Sequence, residues 1–449
     1  MSTNRIFLDR FIFLILFGVL VVGFVFKVFY DKHLALDGVH YFRIILEHSD
    51  FVDIAWSRRF AEYLTEWPLV LGLHIGVHDL HILKILFGFG LFVPYVVCFL
   101  VCFFSISKNE SSLLLIPLVG FLAVNLLSDY DLVAEHHTMT LITVPIAVLM
   151  AKEGRLETWA KVALIVLLLA YTRMYETAML GGALFFVIAA YRSVSSLNVR
   201  EKRYYLFICF LALAVVIIGI YYVWNPRAPT NRSSFLDALM VNKRNYEALS
   251  IYAFLFCIFA GLMFGRINHW FEKFWLVSAI MPIIFYGLIR ITTDYQTTAY
   301  YSFSTRSLTV VTIPCLVLST VALAKIRPVC NKSILTMFTV GFLFFNMTNL
   351  MDLKRWQEVR NGFVSILKSN SGFINIDDTH LRNNHHRWSW NNTLLSIVWS
   401  YPCVETIILN STEHSIGPVD VRKELALTKY LEYGNEYLSI DSRARACEQ

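Results

Sequence analysis

Long apolar runs recur along most of the chain, and they limit its possible folds more than any other feature. A helix needs about 20 apolar residues to cross a bilayer. A backbone in lipid must satisfy its own hydrogen bonds, which favours helices over irregular structure. The sequence therefore predicts an α-helical polytopic membrane protein with about eleven transmembrane helices. The runs are roughly 11–30, 82–104, 112–127, 138–151, 162–172, 177–191, 205–224, 249–264, 275–289, 307–324 and 334–351.

The composition agrees with a membrane protein and argues against a nucleic-acid-binding protein. Hydrophobic residues make up 57% of the 449-residue chain, and the mean hydropathy is +0.56. The formal net charge of +6 comes without a long basic run, so no nucleic-acid partner is expected. The fourth, fifth and sixth runs are short, and we expect neighbouring helices to shield them or the bilayer to thin around them.

The distribution of Lys and Arg predicts the orientation. The first run has no cleavage motif after it, so we interpret it as a retained span rather than a signal peptide. With a cytoplasmic N-terminus, every predicted cytoplasmic connection carries basic residues, as the positive-inside rule requires. These connections are 105–111, 152–161, 192–204, 265–274 and 325–333. Several outside loops are also basic, which suggests an anionic ligand on that side.

The first outside loop, residues 31–81, is long, charged and aromatic. Its first half predicts a short helix from Val39 to Leu46, and its second half predicts a helix that ends at Pro68. Apolar residues at helical spacing predict one face of this second helix, with charged residues opposite. The apolar face is Trp56, Phe60, Tyr63, Leu64 and Trp67, and the charged face is Arg58, Arg59, Glu62 and Glu66. The pattern is typical of a helix in the membrane interface, or of a packing helix with a solvated face.

The remaining chain predicts two domains. Residues 1–351 form the transmembrane domain, and residues 352–449 are polar, with short strand-like runs. About a hundred residues suffice for a small mixed α/β domain, which an odd span count puts outside. Cys403 and Cys447 fall in this segment and can pair only if it faces an oxidising compartment.

The second outside loop crowds acidic and imidazole groups into a short turn. Asp129, Asp131, Glu135 and His136 lie close together in sequence. Paired carboxylates suit Mg²⁺ or Mn²⁺ bridging a phosphate, and the histidines also suit Zn²⁺. We predict Asp129, Asp131 and His136 as metal ligands. The alternative is a solvated loop whose acids cap the following helix.

Further cations lie in the later outside loops. Arg173 stands in a tight turn with Glu176, and Arg290, Tyr300 and Arg306 share another loop. Arginine with tyrosine is suited to gripping phosphate or sugar. The alternatives are a local ion pair for Arg173 and an aromatic belt with interfacial arginines for the later loop.

Three stretches resemble the GT-C superfamily of integral-membrane glycosyltransferases. They are Leu36–Tyr41, Trp56–Pro68 and the Glu135-His136 pair, within a similar layout of spans and loops. The resemblance implies that the acidic residue soon after the first span, Asp37, is the catalytic base. Many members pair two acids there, whereas this chain has Gly38, which implies a single carboxylate. From the sequence alone Asp37 also fits a helix N-cap, and the other candidates for the base are Asp31, Asp50 and Asp53.

The expected reaction is inverting transfer of a sugar from a polyprenyl-phosphate donor to a hydroxyl of a glycan, lipid or protein. A base takes the acceptor proton, and cations stabilise the departing phosphate. We predict Arg173, Arg290 and Arg306 as phosphate ligands. Arg59, Trp67, Glu135 and Tyr300 would form the cleft or acceptor site. The resemblance favours a bacterial inner membrane, with the active site facing the periplasm.

Two other classes fit the same general layout. A lipid-sugar flippase would show polar residues near span midplanes and broken helices, whereas runs 82–104 and 205–224 show almost none. An O-antigen-type polymerase or ligase usually has its large outside loop late in the chain, whereas here the long loop comes first.

Overall fold

A computed structural model confirms the predicted helical class. Almost all of the residues that it describes are helical. Four segments among them are long and apolar enough to cross a membrane: Arg10–Phe29, Leu80–Ser105, Ala178–Ser195 and Val199–Trp224. The total of eleven spans stays a prediction. The structure describes residues 2–35, 37–52, 57–107, 113–127, 135–152, 156–225, 250, 253–254, 256–257, 280–285, 288, 312–322, 324, 332–370, 372–375, 379, 395–396, 398–399 and 406–409.

The N-terminal helix leads directly into the first outside loop. Helix α1 spans Ser2–Phe29 and is followed by a 3-10 turn at Lys32–Leu34. The loop then forms α2 (Asp37–His48) and α3 (Arg59–His74), so the two predicted helices are confirmed. Asp37 is the first residue of α2.

The predicted faces of α3 are wrong for its acidic residues. Glu62 and Glu66 are only 1% and 2% exposed, whereas Trp67 is 44% exposed. The buried side also holds Ala61 and Leu69. The Glu66 carboxylate accepts a hydrogen bond from the Val52 N–H inside the protein, and Glu62 and Glu66 both line a small cavity.

Helix α3 also continues through Pro68, where the sequence predicted its end. A proline removes one helical hydrogen bond and crowds the preceding turn. Here α4 (Leu80–Gly90) packs closely against α3 at the position of the proline. A Cβ placed on Gly90 would lie 2.0 Å from the Thr65 carbonyl oxygen and 3.0 Å from Pro68 Cδ. This close contact supports α3 at Pro68 and in the turn that precedes it.

The predicted span at 82–104 is interrupted. Helix α4 ends at Gly90, and α5 runs over Val93–Ser105. The interruption at Leu91 and Phe92 has a local cause, because Pro94 lacks an N–H and its ring opposes the carbonyl four residues earlier. Leu91 and Phe92 keep right-handed helical backbone angles, and Leu80–Ser105 as a whole is long and apolar enough to cross a membrane.

Helices α6 (Leu115–Leu127) and α7 (Glu135–Ala151) form the centre of the described bundle. Every residue of α7 from Glu135 to Met150 is buried. A helix that is apolar on all sides belongs inside a protein. Shielding by neighbours, predicted for the fourth run, is therefore correct.

Helices α8 (Thr158–Tyr171), α9 (Ala178–Ser195) and α10 (Val199–Trp224) complete the central part. Glycines let α9 and α10 approach closely. A Cβ on Gly219 would lie 2.6 Å from Met179 Cβ. Small residues at such crossings are typical of helix packing in membranes.

Two further helices and two short strands follow. Helix α11 spans Thr312–Ala322, and α12 runs without interruption over Lys332–Ser369. The predicted domain boundary between residues 351 and 352 therefore lies inside a helix. Strand β1 (Gly372–Asn375) pairs in parallel with β2 (Thr406–Leu409). Cys403 and Cys447 lie outside the described residues.

Polar contacts gather at two opposite ends of the bundle. At one end the Lys152 ammonium donates to the Ser105 carbonyl at 2.8 Å, and Arg10 and Arg192 donate to other backbone carbonyls. All of these residues belong to or adjoin the predicted cytoplasmic side. The other end, which we call the outer end, holds α2, α3 and the turn between α8 and α9.

Candidate functional site

A small cavity, which we call the outer cavity, lies at the outer end between α2, α3, α5 and α7. Its volume is about 20 Å³, which is room for one or two water molecules. Its polar lining is Tyr41, Glu62, Thr65, Glu66, Glu135, His137 and Thr138. Three carboxyl groups therefore face one enclosed space beside the predicted membrane surface.

Glu135 makes both a hydrogen bond and an ion pair. It is the first residue of α7 and is 7% exposed. The Tyr41 hydroxyl donates to its Oε1 at 2.5 Å, and Arg58 Nη1 lies 3.7 Å from its Oε2. A hydrogen-bond donor, a guanidinium and a helix N-terminus all stabilise a negative charge at this position.

Arg58 links two acidic residues from different turns. Its Nε also lies 3.2 Å from Glu176 Oε1, which accepts a hydrogen bond from the Ser57 hydroxyl at 2.9 Å. The guanidinium is stacked 4.8 Å from the centre of the Tyr175 ring. Burial by itself lowers the pKa of Arg58, but Glu135 and its other neighbours raise it well above its ordinary value. Arg58 is therefore a permanent cation that neutralises the acids around it.

Glu66 has a different environment. Glu62 and Glu66 are four residues apart on α3, so they share one face. Burial raises the pKa of Glu66 well above its ordinary value. The Val52 N–H, 2.8 Å from Glu66 Oε2, lowers this pKa in part, and the charges of Glu62, Glu135 and Asp50 raise it further. Burial therefore favours the protonated form of Glu66, beside an acid that is paired with a cation.

The different surroundings of Glu66 and Glu135 suit proton transfer between them and a bound group. Two acids whose surroundings differ can play opposite roles in proton transfer. Glu66 can donate a proton or a hydrogen bond, while Glu135 can accept one from a hydroxyl in the cavity. The arrangement suits binding of a water molecule or a single hydroxyl group, or passage of a proton.

The predicted base, Asp37, lies close to this cavity along the chain. It is four residues before Tyr41 in α2, so positions 37 and 41 share one face of the helix. One helical turn, about 5.4 Å, separates residue 37 from the residue that binds Glu135.

The other candidate bases lie elsewhere. Asp31 pairs with Lys84 at 3.6 Å and with Arg360 at 2.9 Å, and it does not line the outer cavity. Asp50 Oδ1 accepts a hydrogen bond from the neighbouring Phe51 N–H at an exposed position. Asp53 lies outside the described residues.

Three predicted cleft or phosphate residues lie around α3 rather than in the cavity lining. The Arg59 guanidinium is 5.4 Å from the Tyr63 ring, and Trp67 is on the exposed side of the helix. Arg173 is 6.0 Å from the Phe60 ring, and its carbonyl accepts the Phe60 N–H at 3.1 Å. Arg173 therefore lies at the outer end, in the turn that also carries Glu176.

Five predicted site residues lie outside the part of the chain that the structure describes. They are Asp129, Asp131, Arg290, Tyr300 and Arg306. Their roles stay predictions.

The predicted metal site depends largely on those residues. His136 and His137 are buried at the start of α7, with ring centres 4.1 Å apart. Within the described stretches, no group of three or more His, Cys, Asp or Glu side chains is arranged to hold a metal. Glu135 is already next to a guanidinium, which disfavours a cation on that carboxylate. A Mg²⁺ or Mn²⁺ site at Asp129, Asp131 and His136 stays a prediction.

Sequence reasoning missed the main partners of Glu135. Tyr41 and Arg58 were not predicted as site residues, and Glu62 and Glu66 were assigned to a solvated face. One signal was available: an acidic pair at helical spacing on a helix whose remaining residues are mostly apolar. The contact of Tyr41 with Glu135 joins residues 94 positions apart, and no local pattern predicts it.

Comparison with known proteins leaves the site to be interpreted from its own chemistry. No protein-family model, curated protein or solved structure matches this chain.

Proposed function

We propose that this chain is a polytopic membrane glycosyltransferase of the GT-C type. It would move a sugar from a polyprenyl-phosphate donor to a hydroxyl of a cell-envelope glycan, lipid or protein. The observation that carries the proposal is the outer cavity, where three buried carboxyl groups and Arg58 meet one turn from Asp37.

The proposed reaction is a single displacement. Asp37 takes the proton of the acceptor hydroxyl as its oxygen attacks the anomeric carbon. The bond from that carbon to the phosphate oxygen breaks, and the lipid phosphate leaves with the bonding electrons. One base and one displacement give inversion at the anomeric carbon.

The surrounding residues have separate roles in this proposal. Glu135, held by Tyr41 and Arg58, accepts a hydrogen bond from the acceptor sugar or alcohol. Arg173, at the same end of the bundle, is a ligand of the leaving phosphate, together with Arg290 and Arg306. A divalent cation held by Asp129, Asp131 and His136 would supply further charge stabilisation.

The proposed setting is a bacterial inner membrane with the outer end in the periplasm. Nucleotide sugars are not expected there, so a lipid carrier is the expected donor. The two polar ends of the bundle support this orientation, because the basic contacts among Arg10, Lys152 and Arg192 gather at the end opposite the cavity.

The test is donor consumption in membranes that carry wild type, Asp37→Asn or Asp129→Asn at matched expression. A mixture of polyprenyl-phosphate sugars is supplied, and donor loss is followed by mass spectrometry. We expect Asp37→Asn to abolish turnover while donor binding persists. Full turnover by Asp37→Asn would refute its role as base. Loss in Asp129→Asn that added Mg²⁺ or Mn²⁺ restores would support the metal site.

A second candidate is a proton-coupled transporter of lipid-linked sugars. The buried Glu62 and Glu66 favour it, since buried acids in membrane proteins are typical of transporters. The same membranes distinguish the two. A transporter would move donor across the bilayer without consuming it, in proportion to the proton gradient.

A further inference from the structure

A second, larger concave surface lies between α1 and α12. This groove has a volume of about 380 Å³, and its walls are almost entirely apolar. Its α1 wall runs from Ile15 to Lys27, and Leu350 and Leu353 line the α12 side. It shares no lining residue with the outer cavity.

Two glycines make this groove deep. Gly18 and Gly23 both line it, and a Cβ built on either would meet nothing within 4 Å. The gap is therefore not filled by side chains of the described residues. Val22 and Leu350, on its two walls, are exposed apolar residues that would face lipid in a membrane.

The length of the groove matches one lipid leaflet. Twelve residues separate Ile15 from Lys27, which is about 18 Å along a helix. The hydrocarbon core of a bilayer is about 30 Å thick, so one leaflet is about 15 Å. A single acyl chain of one leaflet fits this span, whereas a polyprenyl chain is longer than a leaflet.

The outer end of the groove is positively charged. Lys27 lines it directly and is buried. Asp31, one turn further on, pairs with both Lys84 and Arg360, and Lys32 is buried beside it. Lys84 and Arg360 thus share one carboxylate, one helical turn beyond the lysine that lines the groove. Basic pockets between transmembrane helices are suited to anionic lipid headgroups.

We propose that this groove is a binding site for an anionic phospholipid of the bilayer. One acyl chain lies along Gly18 and Gly23, and the phosphodiester lies at Lys27 and Arg360. Bound there, the lipid joins α1 to α12 and holds the segment that leads into α2. This site is separate from the proposed reaction.

The test uses the purified full-length chain, stripped of lipid and titrated in detergent. Phosphatidylglycerol and phosphatidylcholine with identical chains are compared by native mass spectrometry. Wild type should bind one phosphatidylglycerol about five- to tenfold more tightly than phosphatidylcholine, because one or two headgroup contacts are charged. Lys27→Gln should reduce that preference about fivefold, and Gly18→Leu should abolish binding of both lipids by filling the groove.

Two control variants test whether a change in lipid binding is specific to the groove. Lys202→Gln removes an exposed cation at the opposite end, and Val166→Leu enlarges an exposed residue on α8. Both should bind like wild type. Equal binding of the two lipids, or unchanged binding by both Lys27→Gln and Gly18→Leu, would overturn the proposal. Preferential displacement of phosphatidylglycerol by polyprenyl phosphate would also overturn it, by assigning the groove to the donor.

Discussion

At the scale of single residues, the outer cavity depends on one cation shared by two acids. Arg58 contacts Glu135 at the start of α7 and Glu176 in the turn between α8 and α9. Removing one partner of a buried pair leaves the other charge uncompensated, which costs more than the pair itself contributes. The geometry of Glu135 is therefore tied to the stability of the fold.

Arg58→Met should lower the free energy of unfolding by about 3 kcal/mol. The reason is that Glu135 and Glu176 keep their burial and lose their countercharge. Thermal unfolding in detergent measures the change. Arg43→Met is the control, because Arg43 pairs with Glu47 within one turn of α2 at a more exposed site, where such pairs contribute less than about 1 kcal/mol. Equal losses in the two variants would contradict the role given to Arg58.

Glu66 should make the stability depend on pH. Its pKa is raised in the folded state, so the folded protein keeps a proton that the unfolded chain releases above about pH 4.5. Stability contributed by the neutral form is complete below that pH and is lost as the pH rises toward the folded pKa. The loss is up to about 1.4 kcal/mol per pH unit.

Glu66→Gln should remove this dependence, because the amide cannot ionise and can still accept the Val52 N–H. Relative to wild type, the variant should become progressively more stable as the pH rises from about 4.5 toward the folded pKa of Glu66. Melting temperatures across that range test this. Glu157→Gln, at an exposed position, should show no such trend. A constant difference between Glu66→Gln and wild type would show that Glu66 does not hold its proton.

The sequence predicted part of this site at the residue scale. Glu135 was recognised because acids and histidines crowd one turn, and Asp37 because of the resemblance. Glu62 and Glu66 were misassigned because a charged residue on an amphipathic helix is ordinarily solvated. Only the packing of α3 against α5 and α7 shows that these two acids are buried.

At the scale of elements, the position of α3 depends on its contact with α4. Gly90 brings the α4 backbone against the carbonyl of Thr65, beside Pro68. The sequence predicted that Pro68 ends the helix, since proline usually does. It could not predict the support from α4, because that support depends on a glycine 22 positions away.

Gly90→Ala should therefore destabilise the α3–α4 contact by about 1–3 kcal/mol, as overpacking does in a close-packed interior. The added methyl group would clash with backbone, which cannot rotate away. Gly23→Ala adds the same methyl group to open space on α1 and should be neutral or slightly stabilising. Melting temperatures of the two variants test the contact, and an unaffected Gly90→Ala would contradict it.

At the scale of the whole molecule, the described loops divide between two ends of the bundle, and the orientation of those ends in the membrane stays a prediction. Periodicity and run length predicted the order of helices α1 to α10 well, because each run is long or bounded by charge. They did not predict the turn at Leu91 and Phe92, which depends on a single proline, Pro94. They also did not predict the length of α12, which continues beyond the apolar run.

Cysteine labelling should separate the two ends. His74→Cys, at the end of α3, should react with a membrane-impermeant maleimide added outside intact cells. Leu197→Cys, exposed between α9 and α10, should react only after permeabilisation. Wild type gives the background from the native cysteines. The opposite pattern would place the outer cavity in the cytoplasm and would exclude a periplasmic reaction.

The central claim is that Glu135 in the outer cavity binds one hydroxyl of the acceptor beside the catalytic base. The most direct measurement is the rate of donor consumption by Glu135→Gln, with Tyr41→Phe beside it, in protein whose melting temperature stays close to that of wild type. We predict a loss of about 100-fold or more for Glu135→Gln and a smaller loss for Tyr41→Phe, because the tyrosine acts by orienting the carboxylate. Glu157→Gln should keep the wild-type rate. Full donor consumption by a folded Glu135→Gln would contradict the account and remove the outer cavity from the reaction.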